Sequence, residues 1–271
     1  MVKHVMKRLS EYLVSSEPFY KSVGSEVVYY EALFADRTPV ILKGPTGSGK
    51  TRFMEYMAHR LKVPLLSVSC HEDMTASDLL GRFLLDKDGT IWRDGPLTLA
   101  VRGGAICYLD EIVEARQDTS VVIHSLTDHR RMLFLEKKNE AVTAHENFHL
   151  VVSYNPGYQN SFKDLKESTK QRFAAINFQY PEALVEAEIV SRESNIDLRM
   201  ATKLVQIAGQ SRNLRGHGLE EGCSTRMLIH VARLLARGIP IRDACDIGMI
   251  SPLTDDDDIR KSLNASFEAC I

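Results

Sequence analysis

The run PVILK at 39–43 leads directly into GPTGSGKT at 44–51, and TRFMEYMAHRL at 51–61 follows with apolar residues at helical spacing. A short β-branched segment, a glycine-rich loop and an amphipathic helix in this order leave few folds open. Gly44-x4-Gly49-Lys50-Thr51 fits G-x-x-x-x-G-K-[ST], a loop whose glycines let backbone N–H groups turn inward around phosphate oxygens. In such a loop Gly44, Pro45, Thr46, Gly47, Ser48 and Gly49 form the cradle. Lys50 reaches the β- and γ-phosphate oxygens, and Thr51 ligates Mg²⁺. The segment predicts nucleotide binding, with ATP and Mg²⁺ as the pair to be held.

Four further short apolar runs read as strands: LLSVS (65–69), AICYL (105–109), FHLVVSY (148–154) and AINFQY (175–180). Helix-like segments such as 51–61 and 117–128 lie between them. Alternation of strands and helices predicts an α/β fold, a parallel sheet covered on both faces. After Pro181 only helical periodicity remains, in EALVEAEIVSRES, LRMATKLVQIAGQSR and TRMLIHVARLLARG. The chain therefore divides into an α/β nucleotide-binding domain at 1–181 and an all-helical domain at 182–271.

Two insertions interrupt the first domain, RFLLDKDGTIW at 82–92 and MLFLEKKNEAVTAH at 132–145. Both read as hairpins, turning at 87–89 and 137–140. Alternation of Phe83, Leu84, Leu85, Ile91 and Trp92 predicts one face of the first packed on the body, with its turn projecting. Near the N-terminus, Val2, Val5, Met6, Leu9, Tyr12 and Leu13 predict a short amphipathic helix. The acidic run 255–258 reads as a solvated helix start.

A net charge of −2 over 271 residues provides no global field for nucleic acid or an anionic membrane. No apolar run is long enough to span a bilayer. Cys70, Cys107, Cys223, Cys245 and Cys270 are odd in number and form no CxxC pair, which predicts a reducing, cytoplasmic setting rather than a disulfide framework or zinc ribbon.

The remaining chemistry gathers at strand ends. AICYL delivers Asp110 and Glu111 at the carboxyl end of its strand, the end that a parallel sheet sets beside the glycine loop. Asp110 there can hold Mg²⁺ and its water shell, while Glu111 polarises an attacking water. A small-molecule kinase has no need of the second acid, so the pair favours hydrolysis. Asn155 ends FHLVVSY and can orient the same water, although Asn-Pro-Gly is also a plain turn. Arg172, just ahead of the last strand, is placed to act in trans on a neighbouring subunit's γ-phosphate. Arg226 opens a helix, where a cation opposes the dipole and calls for a compensating anion. The nine histidines show no metal-ligand spacing.

Together these strings resemble the AAA+ ATPases. ILKGPTGSGKT is similar to Walker A, ICYLDE to Walker B, Asn155 to sensor 1, Arg172 to the arginine finger and Arg226 to sensor 2. The two insertions lie where the MoxR branch carries hairpins. WRDGPLTLAVRGGAICYLDEIVEAR, HSLTDHRRMLFL, SYNPGYQ, LKESTKQRF and STRMLIHVARLL resemble the CbbQ/NirQ/NorQ group, and the likeness runs from about Phe19 to about Asp258.

The resemblance implies a homo-oligomeric ring, a hexamer, that spends ATP on remodelling another protein with a partner bearing a von Willebrand factor A domain. CbbQ members reactivate inhibited Rubisco with CbbO, and the strings lean towards them. NirQ/NorQ members mature nitric oxide reductase with NorD. A nucleic-acid motor is a distant alternative, since MoxR proteins share their hairpins with helicases. The charge balance opposes it, with Arg82 and Lys87 offset by Asp86 and Asp88.

Overall fold

The computed structural model describes residues 8–87, 89–116, 119, 121–156, 165–214, 219 and 221–268. Its central element is a five-stranded parallel sheet in the order β2-β5-β8-β1-β9. The strands are β1 (Val40–Lys43), β2 (Leu65–Ser69), β5 (Ile106–Asp110), β8 (His149–Tyr154) and β9 (Ala174–Asn177). Two antiparallel ribbons are separate: β3 (Gly81–Asp86) with β4 (Gly89–Asp94), and β6 (Met132–Leu135) with β7 (Glu140–Thr143).

The central strands β1, β5 and β8 are buried on both sides, and each divides its residues between two cores, as the period of two requires. Val40, Leu42, Ile106, Tyr108 and Val151 face one way, onto Tyr30 of the helix Glu26–Ala35 and Phe53, Met54 and Met57 of the helix Lys50–Leu61. Ile41, Cys107, Leu109, Leu150 and Val152 face the other, onto Leu97, Leu99 and Val101 of the helix Pro96–Gly103. The helix after the glycine loop stops where Lys62 turns left-handed and the Val63 N–H returns to the Ala58 carbonyl at 3.0 Å. Pro64 then prevents continuation.

The chain forms two compact units, one holding the sheet up to Phe178 and the other holding Gln179 onward together with Pro45–Gly49. In the second unit the helices Ala183–Ser194, Leu198–Asn213 and Thr225–Ala236 bury Val190, Leu204, Ile207, Leu228 and Val231 in their own core. The acidic run starts the helix Asp257–Glu268, and Asp256 Oδ1 caps it by accepting from the N–H groups of Asp258 and Ile259.

Several expectations change. The first ribbon buries neither face: Phe83 is 47% exposed, Leu85 90% and Ile91 48%. Only its base is held, where the partly buried Trp92 packs on the core and Asp94 pairs with Arg102 at 3.3 Å. A two-stranded ribbon has no third layer to cover its second face. Asp88 of its turn lies outside the described residues. Near the N-terminus Arg8 and the buried Leu9 are helical as expected, but Ser10–Tyr12 turns into a 3-10 segment, and Tyr12 and Leu13 are exposed. Val2, Val5 and Met6 lie outside the described residues. Within 117–128 the described Thr119 and Val121 are helical, the segment ends in a 3-10 turn at His124–Leu126, and residues 117, 118 and 120 lie outside the described residues.

One buried polar contact links the first helix to the sheet. His149 Nε2 lies 2.7 Å from the Thr38 carbonyl, which can only accept, so Nε2 carries the proton. Nδ1 then accepts from the Tyr30 hydroxyl at 3.0 Å. Burial, with a smaller contribution from Arg131, lowers the His149 pKa to about 4. An unfolded histidine titrates near ~6.5, so between the two values the unfolded chain binds a proton that the folded chain refuses. Stability is therefore lost as pH falls from about 6.5 towards 4. Urea unfolding at pH 7 and pH 5 should show a loss of up to about 2 kcal/mol that disappears in His149→Gln. An identical pH response in the variant would remove His149 as its source.

Candidate active site

Parallel register sets the carboxyl ends of three strands at one level. Lys43 of β1 pairs with Tyr154 of β8, and Leu109 of β5 pairs with Val152 of β8. Gly44 and Asn155 each follow the paired residues, and Asp110 stands level with Ser153. Asp110 Oδ2 accepts from Thr51 Oγ1 at 3.2 Å, and Oδ1 accepts from the Tyr108 hydroxyl at 2.7 Å and from Ser153 Oγ. Burial, assisted by the Asp110 charge, raises the Tyr108 pKa well above its ordinary value, so the phenol remains a neutral donor. The carboxylate is held from three sides before any ligand arrives.

Glu111 adopts φ 56 and ψ 48, a left-handed conformation that a non-glycine residue enters at a cost of order 1 kcal/mol. Its N–H donates to Ser153 Oγ at 3.0 Å, so a single serine hydroxyl holds Asp110 and the backbone of Glu111 together. The turn sends the exposed Glu111 side chain off the line of β5.

Lys50 opens the helix after the loop, is 9% exposed, and donates from Nζ to the Gly44 carbonyl at 2.8 Å. Gly44 admits no side chain, because a Cβ there would lie 2.3 Å from the Phe178 carbonyl oxygen. Asn155 follows β8 and is half-buried. Arg172 is set apart from this group in its contacts: Nη1 donates to the His124 carbonyl at 3.5 Å and lies 3.9 Å from Asp128.

The loop residues Pro45–Gly49 belong to the second unit. The Ser48 hydroxyl closes the turn on the Pro45 carbonyl at 2.8 Å. Gly47 has φ +70, and a Cβ there would lie 2.7 Å from that of Ser224 and 3.4 Å from that of Arg226. Ser224 caps the helix Thr225–Ala236 through the Met227 N–H, which sets the exposed Arg226 in its first turn. The Tyr180 hydroxyl donates to the Thr46 carbonyl at 3.1 Å. Burial, with Glu221 next, pushes Tyr180 up to about 12, so it too remains a donor.

A hydroxyl and a carboxylate 3.2 Å apart form an oxygen donor set suited to Mg²⁺, which takes one or two protein oxygens and completes its shell with phosphates and water. Among the described residues no cluster of three or more His, Cys, Asp or Glu is arranged to hold a metal. Sequence reading alone missed Tyr108, Ser153, Tyr180 and Ser224. Ser153 left one signal, a hydroxyl in an otherwise apolar buried strand that ends at Asn155. Tyr180 and Ser224 depend on contacts distant in sequence, with Thr46 and Gly47, whereas Tyr108 stands two residues before Asp110 on the same face of β5.

Residues 39–173 match the family model for an AAA domain of the dynein-related subfamily, and 186–270 match the CbbQ/NirQ/NorQ C-terminal region. Protein CbbQ of Hydrogenophilus thermoluteolus is 60% identical, over 95% of this chain and 96% of its own. The denitrification regulatory protein NirQ of Pseudomonas aeruginosa is 55% identical, over 88% of this chain and 92% of its own. Protein NorQ of Paracoccus denitrificans is 53% identical, over 91% of each. A crystal structure of a presumed ATPase from Cytophaga hutchinsonii shares the fold, with TM-score 0.52 and 14% identity over all of this chain and 94% of that one. Both units thus match one family, relatives align along nearly their whole length, and the chain belongs to the CbbQ/NirQ/NorQ family of AAA-domain ATPases.

Proposed function

We propose that the chain forms a hexameric ring that hydrolyses ATP to remodel a target protein, together with a partner bearing a von Willebrand factor A domain. The observation that carries the hydrolytic part is the set Thr51–Asp110–Ser153–Glu111, joined by hydrogen bonds at the end of the sheet. In this reading Gly44 to Gly49 wrap the phosphates with backbone N–H groups, and Lys50 leaves the Gly44 carbonyl for the β- and γ-oxygens. Thr51 and Asp110 would hold Mg²⁺, which screens the phosphate charge. Glu111 accepts a proton from the attacking water while Asn155 orients it. Arg226, beside Gly47, contributes positive charge in cis. Arg172 points its function at a neighbour's phosphates in trans, which makes the ring the active unit.

The target favoured is Rubisco blocked by tight-binding sugar phosphates, with a CbbO-type partner. The support is the likeness to Protein CbbQ, whose margin over NirQ and NorQ is small. Maturation of nitric oxide reductase with a NorD-type partner is the second reading, favoured by those two relatives. The division into an ATPase core at 1–181 and a helical lid at 182–271 belongs to the same proposal. So does a cytoplasmic setting, with which the free, buried Cys70, Cys107, Cys223 and Cys245 agree.

Glu111→Gln should bind ATP as the parent does and hydrolyse it 10²- to 10⁴-fold more slowly, since the amide is a poor acceptor for the water proton. Unchanged steady-state turnover would take Glu111 out of the mechanism.

Arg172→Ala and Lys50→Ala chains should each be inactive alone yet regain hydrolysis when mixed. Some interfaces then pair an intact loop with an intact finger. Mixed rings verified by mass that never exceed their parents would place Arg172 in cis.

The target is tested with inhibited Rubisco, the CbbO-type partner and ATP, scoring recovered carboxylase activity. Recovery with the parent chain and none with Glu111→Gln is expected. No recovery, together with restored nitric oxide reductase activity beside a NorD-type partner, would transfer the assignment to the second reading.

A further inference from the structure

The helical unit buries a charge that its fold does not need. Glu186, in the helix Ala183–Ser194, is fully buried, and its carboxylate meets the Arg212 guanidinium through paired bonds of 2.8 and 2.7 Å. Replacing such a pair by apolar side chains is often neutral or stabilising, so its presence argues for positioning rather than stability. What it positions can be followed atom by atom.

Arg212 lies flat on the Tyr180 ring, 4.0 Å from its centroid, and its Nε donates to the Cys223 carbonyl at 2.8 Å. Glu186 Oε1 also accepts from the Thr225 hydroxyl at 2.5 Å. One arm of the network therefore fixes the Tyr180 ring, whose hydroxyl holds the Thr46 carbonyl at 3.1 Å. The other arm fixes residues 223–225, directly ahead of Arg226, with Ser224 against Gly47.

Peptide planarity gives the first arm its consequence. In a trans peptide the carbonyl and the following N–H point in opposite directions. A hydroxyl that draws the Thr46 carbonyl to one side therefore turns the Gly47 N–H to the other, away from Tyr180. Gly47 sits at φ +70, a conformation glycine adopts without steric cost and from which it can also depart, so the Tyr180 bond is what holds that peptide's orientation.

We propose that Tyr180 is a positioning residue for the phosphate loop, and that the buried Glu186–Arg212 pair sets Tyr180 and the start of the Arg226 helix in register with each other. The inference rests on the reading of Pro45–Gly49 as a phosphate cradle. Gly47 N–H contacts of this kind act on ADP, ATP and the transition state alike. Their loss raises KM and the ADP dissociation constant together while kcat stays nearly constant.

The test is calorimetry with ADP, and steady-state ATP hydrolysis, on the full chain. Tyr180→Phe retains the ring on Arg212 and removes only the hydroxyl. It should weaken ADP binding and raise KM roughly fivefold, the effect of one neutral hydrogen bond, with kcat within about twofold. Arg212→Lys retains the charge but loses the planar fork and the stack. It should raise KM and also lower kcat, because the Arg226 helix start is released as well. Parental ADP affinity and KM in Tyr180→Phe would overturn the proposal, as would parental kcat and KM in a folded Arg212→Lys. A parent chain that binds no ADP would instead overturn the cradle itself, and this inference with it.

Discussion

Burial of the sheet on both faces is the constraint from which the rest follows. Val40 and Leu42 look into one core and Ile41 into the other, and β5 and β8 divide in the same way. A strand so placed has no free face on which to mount polar chemistry, so charged groups are driven to its ends. All strands of the sheet run parallel, which makes the carboxyl ends one common edge. Gly44, Asp110, Glu111 and Asn155 are all found there for that reason. The buried polar groups within β8 are both satisfied, Ser153 by Asp110 and the Glu111 N–H and His149 by Tyr30 and the Thr38 carbonyl.

Local strain adds to this arrangement. A left-handed glutamate persists only where its surroundings determine it, and here the determinant is the bond from its N–H to Ser153. Had Glu111 continued the strand, its carboxylate would have taken the next alternating direction of β5. The turn into the 3-10 segment Ile112–Glu114 frees the side chain from that alternation. The place of the Glu111 carboxylate at this edge thus depends on a backbone conformation as much as on the residue type.

Much of the fold was legible in the residues because the signals were local. PVILK, LLSVS, AICYL and FHLVVSY each became a strand within a residue or so, and the three helical periodicities after Pro181 became helices. Misreadings arose where a pattern depended on what it packs against. Alternation in 82–92 predicted a buried face, yet only Trp92 at the base reaches the core, and Leu85 stands 90% exposed. The segment 117–128 reads as helix throughout, yet only its first part, with Thr119 and Val121, is helical, and a 3-10 turn that the Thr127 hydroxyl closes on the His124 carbonyl ends it early. Of the candidate site, the glycine loop and the acid pair were visible as motifs. Tyr108 and Tyr180 were not, since aromatic residues in a strand or after one read as core until a hydroxyl partner is known.

The loop itself is governed by two kinds of restraint. Through the backbone it continues β1 and opens the helix Lys50–Leu61, so its ends are fixed by regular structure. Its middle, Pro45–Gly49, takes its side contacts from Tyr180, Ser224 and Arg226 of the helical unit to which it belongs. Two glycines make this possible for different reasons, Gly44 because Phe178 fills the space of a Cβ and Gly47 because φ is positive beside Ser224. A loop fixed only at its ends could lose the inward direction of its N–H groups through a single peptide flip. The carbonyl of Thr46 is where such a flip would begin, and it is the carbonyl that Tyr180 holds. Restraint of the glycine loop thus comes from the residues that also place Arg226, so loop and cation share one geometry.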